Sequence, residues 1–383
     1  TRGTVAGYPQ GIQQGHPFMR KTKIICTLGP ATNTYEMLAK MHEAGMDIIR
    51  LNMSHATHEW ADRMIKHIVE LNKHNRFPVG ILLDTQGPEI RTGVRDSDLH
   101  LKAGDEISIT VRDGANVEET SIRINYAELI DDMAVGDHIA VDNGLINLEV
   151  LEKNNNLLRC KVLDGGKLGS KKHVNLPGIR VNLPAITQKD EEDIKFGLDR
   201  ELDYIALSFV RDAKDVLQLR ELINSYAPEK LNQIKIIAKI EDQSAIEHLG
   251  DILRTTDALM VARGDLGIEI PYETLPLIQR RAVAMAIACR KPVIVATHML
   301  ESMIQNPVPT RAEVTDVSNA VLEMADSVML SGETTTGKHP IRCVEVMSRI
   351  ASTTERELPV VLSLEQPNET PKIKLLRAAA SLA

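Results

Sequence analysis

Eight short apolar runs recur along the chain, at 23–28, 47–52, 79–84, 204–209, 234–240, 258–262, 293–296 and 327–330, and none of them alternates with polar residues. A strand covered on one face reads apolar, polar, apolar; a strand covered on both faces reads apolar throughout, as in a parallel sheet flanked by helices. Segments of helical character follow most runs, most clearly at 34–44, 59–72, 190–198, 212–225, 274–289, 311–325 and 340–353. Several open on Thr, Asp or Pro, which suit a helix amino terminus. Strand then helix, eight times over, is the order of a closed (β/α)8 TIM barrel. The rival is an open doubly wound sheet. Eight units match the number that closes, and 25–30 lacks the glycine spacing of a dinucleotide fold.

One interval breaks the rhythm. More than a hundred residues separate the third and fourth runs, too many for one loop and helix. There the apolar period shortens to two, at Leu99 and Leu101, Ile107, Ile109 and Val111, Leu148 and Val150, and Leu158, Cys160 and Val162. Turn signals stand between, including Asp113-Gly114, Asn143-Gly144, 154–156 and Gly165-Gly166. These predict an inserted antiparallel β-barrel lid domain over 88–184, between barrel segments 20–87 and 185–365. An insertion after a strand emerges on the catalytic face, where it can act as a lid. Residues 1–19 read as a tail. Residues 366–383 read as a linker and the start of a further, truncated domain.

Charge and cysteine use narrow the function. The formal net charge of -8 argues against nonspecific nucleic-acid binding but leaves room for a local basic pocket. No run reaches the ~18 apolar residues of a membrane span, and no charged-then-apolar leader is expected. Cys26, Cys160, Cys289 and Cys343 are far apart, with neither zinc nor disulfide spacing, which fits a reducing, cytoplasmic setting.

The strand ends carry the chemistry, because polar residues at the carboxyl edge of such a barrel share one bowl. Glu241 and Asp265, on neighbouring strands, suit one Mg²⁺ or Mn²⁺; the bland alternative is a pair of acidic helix caps. Gly264 beside Asp265 favours close approach of a ligand to the backbone. Lys239 lies two residues before Glu241, on the same strand face. Inside a barrel it needs anionic partners, either Glu241 or a transferring anionic group. Arg50 and Arg91 suit phosphate. Asn52, Ser54, Asp84 and Thr85 are oxygen donors that bind a second cation or satisfy one another. Thr297, Ser331 and Glu333 suit a proton relay; capping is the equal alternative for Thr297 and Ser331. His298 reads as a packing or surface residue. The basic stretch 167–173 reads as a solvated face or as a lid cation for a phosphate.

Together these segments resemble the pyruvate kinase family. The likeness is carried by Arg-Leu-Asn-Met-Ser-His (50–55), Leu-Asp-Thr-Gln-Gly-Pro-Glu-Ile-Arg-Thr-Gly (83–93), Val-Asn-Leu-Pro-Gly (174–178), Ala-Lys-Ile-Glu (238–241), Ala-Arg-Gly-Asp-Leu-Gly (262–267) and Leu-Ser-Gly-Glu-Thr (330–334). The resemblance implies phosphoryl transfer from phosphoenolpyruvate to ADP in a homo-oligomer, dimer or tetramer. It implies Mg²⁺ at Glu241 and Asp265, and K⁺ at Asn52, Ser54, Asp84 and Thr85. Lys239 would stabilise the moving phosphoryl group, and Arg50 would touch the substrate phosphate. Gly264, Asp265 and Thr297 would line the substrate. Asn52, His55, Arg91 and Lys172 would face the nucleotide. Thr297, Ser331 and Glu333 would help deliver a proton to the enolate. Glu89 matches potassium-dependent members. Gln86, Asp242 and His298 depart from frequent family residues. Without the resemblance, a Mg²⁺-dependent barrel aldolase or lyase acting on pyruvate or its enolate competes, and a binding module that has lost catalysis is a third reading.

Overall fold

The computed structural model describes residues 20–111, 121–155, 157–179 and 181–357. The expected tail 1–19, the Asp113-Gly114 turn, Asn156 and the segment 366–383 lie outside the described residues.

Eight parallel strands close into a barrel: β1 (Lys23–Thr27), β2 (Ile48–Asn52), β3 (Gly80–Asp84), β4 (Tyr204–Leu207), β5 (Lys235–Ile240), β6 (Ala258–Ala262), β7 (Val293–Ala296) and β8 (Ser327–Leu330). Each pairs in parallel with its chain neighbours, and β8 returns to β1. The runs lack alternation because both faces are buried in different places. Ile25, Leu82, Ala206, Ile237, Met260, Ile294 and Met329 pack inside the barrel. Their neighbours, such as Ile24, Cys26, Leu83, Ile236 and Val328, pack outward against the helices.

The helices start where the capping residues predict. The side chains of Thr34, Thr57, Thr187, Asp212, Asp242 and Thr310 each accept a backbone N–H of the first turn, satisfying donors that a helix start leaves free. After β5 the helical segment is broken at His248 into Gln243–Glu247 and Leu249–Thr255. A short helix, Arg263–Glu269, follows β6 directly and carries Gly264 and Asp265.

The interval after β3 builds its own sheet over its own core, which includes Ile107, Ile109, Leu148, Val150, Leu158 and Val162. Its six strands run in the order Val174–Asn175, His138–Val141, Ile146–Lys153, Leu157–Asp164, Glu106–Thr110 and Ser121–Arg123. The antiparallel expectation needs one correction: Glu106–Thr110 and Ser121–Arg123 pair in parallel. The intervening 111–120 is too long for the two-residue hairpin that would have joined them antiparallel. Arg91 bridges to His173 and Thr92 to Ile124, so one short segment stitches together the two edges of the sheet.

Gly87 marks the exit from the barrel. Its φ of 73° lies in the left-handed region, and a Cβ there would stand 2.9 Å from the Ser208 Cβ. Its N–H donates to Asp190 Oδ1 on the helix where the chain re-enters. Gly87→Ala combines a left-handed strain with overpacking and should cost about 1–3 kcal/mol. Urea unfolding measures this, and an unchanged midpoint would contradict the packing described.

Candidate active site

Strand parity builds the site. Side chains two apart on a strand share a face, so Thr27, Arg50, Asp84, Ser208, Lys239 and Ser331 stand one layer above the inward-facing Ile25, Ile48, Leu82, Ala206, Ile237 and Met329. That layer is charged. Arg50 Nε donates to Asp84 Oδ2 at 2.5 Å, and Lys239 Nζ sits 3.2 Å from Asp84 Oδ1 and 2.9 Å from Glu241 Oε1. Asp84 is fully buried, Glu241 is 1% exposed and Lys239 is 7% exposed. Plus and minus alternate along Arg50, Asp84, Lys239 and Glu241, the arrangement that makes burying four charges tolerable.

Each charge is tuned by its neighbours. Burial pulls the Lys239 ammonium down, but Asp84 and Glu241 outweigh it and hold the group above its ordinary value. Burial likewise opposes the Asp84 charge, and Arg50 and Lys239 reverse the sign and leave its carboxyl below the usual range. Glu241 goes the other way. Burial pushes its carboxyl up to about 7, Lys239 resists, and Asp265 adds to the rise. Asp265 itself makes no hydrogen bond or ion pair among the described residues. A half-exposed free carboxylate that repels a buried one is a donor pair suited to a divalent cation, so these residues fit Mg²⁺ or Mn²⁺ in kind.

Three residues given no role in the sequence reading support the site: Ser208 and Phe209 at this layer, and Arg263 behind the end of β7. Ser208 directly follows β4, where the expected run 204–209 turns away. It accepts from Lys239 Nζ at 2.7 Å and donates to the Thr85 carbonyl at 2.7 Å. Its neighbour Phe209 has φ 52° and donates its N–H to Glu241 Oε2 at 2.7 Å. A serine closing an apolar run was the available signal. Arg263 is the third. It is 9% exposed and donates to the carbonyls of Ala296 and Thr297 and to both oxygens of Asp316.

That clamp faces the strained end of β7. Thr297 and His298 both have positive φ, 67° and 56°, a conformation a β-branched residue adopts at a cost. The strain aims Thr297 Oγ1 to accept the Gly264 N–H at 2.7 Å. A methyl on Gly264 would make ordinary contacts with Thr297 and His298.

The remaining predicted residues are placed as follows. Asn52 lies opposite Asp84 in register, and its Oδ1 accepts the Ser54 N–H at 3.3 Å. Thr85 Oγ1 accepts the Ser208 N–H. All four members of the second-cation set thus stand at two adjacent strand ends and offer oxygen. Arg91 is paired with Glu89, Lys172 with Asp142, and His55 is exposed. Glu89 Oε2 also accepts from Gln86. Ser331 Oγ is buried with no hydrogen-bond partner among the described residues. Glu333 is fully buried, and its two oxygens accept the backbone N–H groups of Leu300 and Ser331, so it braces two loops.

A family model described as the barrel domain of pyruvate kinase matches residues 19–344. The pyruvate kinase of Geobacillus stearothermophilus is 48% identical over 342 residues, covering 88% of this chain and 58% of the relative. Plastidial pyruvate kinase 3 of Arabidopsis thaliana is 45% identical over 342 residues, covering 89% and 59%. Chloroplastic pyruvate kinase isozyme G of Nicotiana tabacum is 46% identical over 340 residues, covering 88% and 60%. The chain thus spans less than two thirds of the length of these relatives.

Arg263→Ala should lower stability on the order of 3 kcal/mol, since it strands Asp316 and the carbonyls of Ala296, Thr297 and His298; Asp316, 32% exposed, is partly solvated and keeps the loss at that size. Denaturant unfolding checks it, and a wild-type value would contradict the clamp.

Proposed function

The chain belongs to the pyruvate kinase family, and on that premise we propose that it is a phosphotransferase moving the phosphoryl group of phosphoenolpyruvate to ADP, giving pyruvate and ATP. The observation that carries this reading is Lys239, a buried cation held by Asp84 and Glu241 beside the unpaired Asp265. Phosphoryl transfer asks for positioning and charge neutralisation more than for covalent chemistry. Held by Glu241 and Asp265, a divalent cation would neutralise charge on the phosphoryl group, and K⁺ among Asn52, Ser54, Asp84 and Thr85 would add to it.

The protein's own groups do the rest. Lys239 stays protonated, because two carboxylates hold it so, and presents fixed positive charge to the moving group. Arg50, anchored on Asp84 and Thr27, keeps further donors for the substrate phosphate. Gly264, Asp265 and Thr297 line the substrate. Arg91, Lys172 and His55 face the nucleotide, the first two exchanging Glu89 and Asp142 for phosphate oxygens. Protons reach the enolate through Thr297 and the Ser331 hydroxyl, with Glu333 holding the Ser331 backbone. The sheet over 88–184 acts as a lid that excludes water. Self-association as a dimer or tetramer and a cytoplasmic setting belong to the same proposal. The first rests on the family resemblance, the second on the four free cysteines. No described helix is long and apolar enough to cross a membrane.

Purified protein supplied with phosphoenolpyruvate, ADP, Mg²⁺ and K⁺ should release pyruvate only when ADP is present; ADP-independent release or none overturns the reading. Lys239→Met should cut kcat by roughly 10²–10³ with a much smaller change in KM, the size seen when one transition-state donor is lost. Near-normal turnover would remove its assigned role. Glu89 points to potassium dependence, so replacing K⁺ by tetramethylammonium should abolish most activity. Equal rates in the two salts would contradict it.

A further inference from the structure

Besides the Arg211 guanidinium, which donates to the Val181 and Leu183 carbonyls, three contacts join the sheet over 88–184 to the Asp265 helix and its surroundings. The Gly144 turn stands over Ile268, close enough that a Cβ on Gly144 would lie 3.7 Å from Ile268 Cγ2. The His173 ring lies 6.1 Å from the Phe209 ring. Between them, Asn175 Nδ2 donates to Glu269 Oε1 at 2.9 Å. Of these three contacts only the last is directional. Asn175 is 4% exposed, and its Oδ1 is buried without a partner among the described residues. A buried amide with one orphaned atom is a costly choice for packing alone, and its single bond crosses from one sheet to the other unit's helix.

The helix it reaches, Arg263–Glu269, bears Gly264 and Asp265 in its first turn and Glu269 at its last residue. The strand that supplies Asn175 begins directly after Lys172 and His173, and Lys172 is tied to Asp142 in the turn that rests on Ile268. This hydrogen bond therefore ties the segment that follows Lys172 to the helix that bears Asp265. Burial raises the Glu269 carboxyl to about 7, Asn175 opposes the rise, and Asp242 and Asp265 add to it. The acceptor is thus held in an acidic seam where only a neutral donor such as an amide can pair without adding charge.

We propose that Asn175 and Glu269 are a positioning pair for the proposed phosphoryl transfer: a latch that fixes Lys172 over Asp265 when the nucleotide is bound. The inference rests on the reading of this site as a phosphotransferase. Neither residue touches the reacting atoms. The pair acts through Lys172 and the Asp265 helix, so its loss falls on the nucleotide side of the reaction.

The test is a double-mutant cycle on the full chain with Asn175→Ala, Glu269→Ala and the two combined, reading KM for ADP, KM for phosphoenolpyruvate and kcat. Each single variant should raise KM for ADP about tenfold, the size of losing one hydrogen bond to a charged group, with KM for phosphoenolpyruvate moved less than threefold. The combined variant should be no worse than the worse single one, because the second change removes a bond already gone. Multiplying effects, or an unchanged KM for ADP in either single variant, overturn the latch. Hydrogen exchange is read in parallel and does not depend on catalysis. Faster exchange in 172–176 and 263–269, with β5 as protected as in wild type, supports the latch; unchanged exchange in both segments refutes it. If wild-type protein makes no pyruvate, the phosphotransferase reading fails and the exchange arm still decides whether the pair holds the lid.

Discussion

Four charges buried inside a barrel must cancel one another or their burial costs the fold several kcal/mol. Arg50, Asp84, Lys239 and Glu241 come from three strands and alternate in sign, with separations of 2.5, 3.2 and 2.9 Å. Removing any one leaves an uncompensated buried charge, which costs more than the pair was worth. The surrounding structure follows from this constraint. Ser208 fills the remaining Lys239 donor direction, and Phe209 bends into the left-handed region to cap Glu241. The network is neutral as it stands, and Asp265 beside it is the surplus negative charge. A neutral cage with one free carboxylate is prepared for a cation and an anion arriving together.

Rigid placement of that cage depends on loops fastened from behind. Arg263 and Glu333 do this work on opposite sides, one by donating to carbonyls after β7, the other by accepting N–H groups after β7 and β8. Both are buried charges spent on backbone groups, a use that fixes loop geometry more tightly than apolar packing. The strained Thr297 and His298 pair persists because this shell over-determines it.

The parts legible in the sequence were those written locally. Burial on both faces leaves an unalternating run, so all eight barrel strands showed themselves. Capping threonines marked the helix starts. Parity put Lys239 and Glu241 on one face before any coordinates did. The rest depends on residues distant in the chain. Ser208 became visible only against Lys239, Arg263 only against Asp316 and the carbonyls after β7, and the parallel pair in the inserted sheet only through its register. The bonds of Glu333 to the backbone of two loops were likewise invisible in its place after β8. The proposed phosphoryl transfer rests on the family resemblance, since charge and parity describe a bowl and not its occupant.

The account stands most directly on where a divalent cation settles. A crystal structure with Mn²⁺ and its anomalous signal should place one ion within coordinating distance of both Glu241 and Asp265, roughly 2.0–2.3 Å by analogy with hard-cation sites, with Lys239 still against Asp84. An ion bound elsewhere, or one that displaces Lys239 from Asp84, would contradict it.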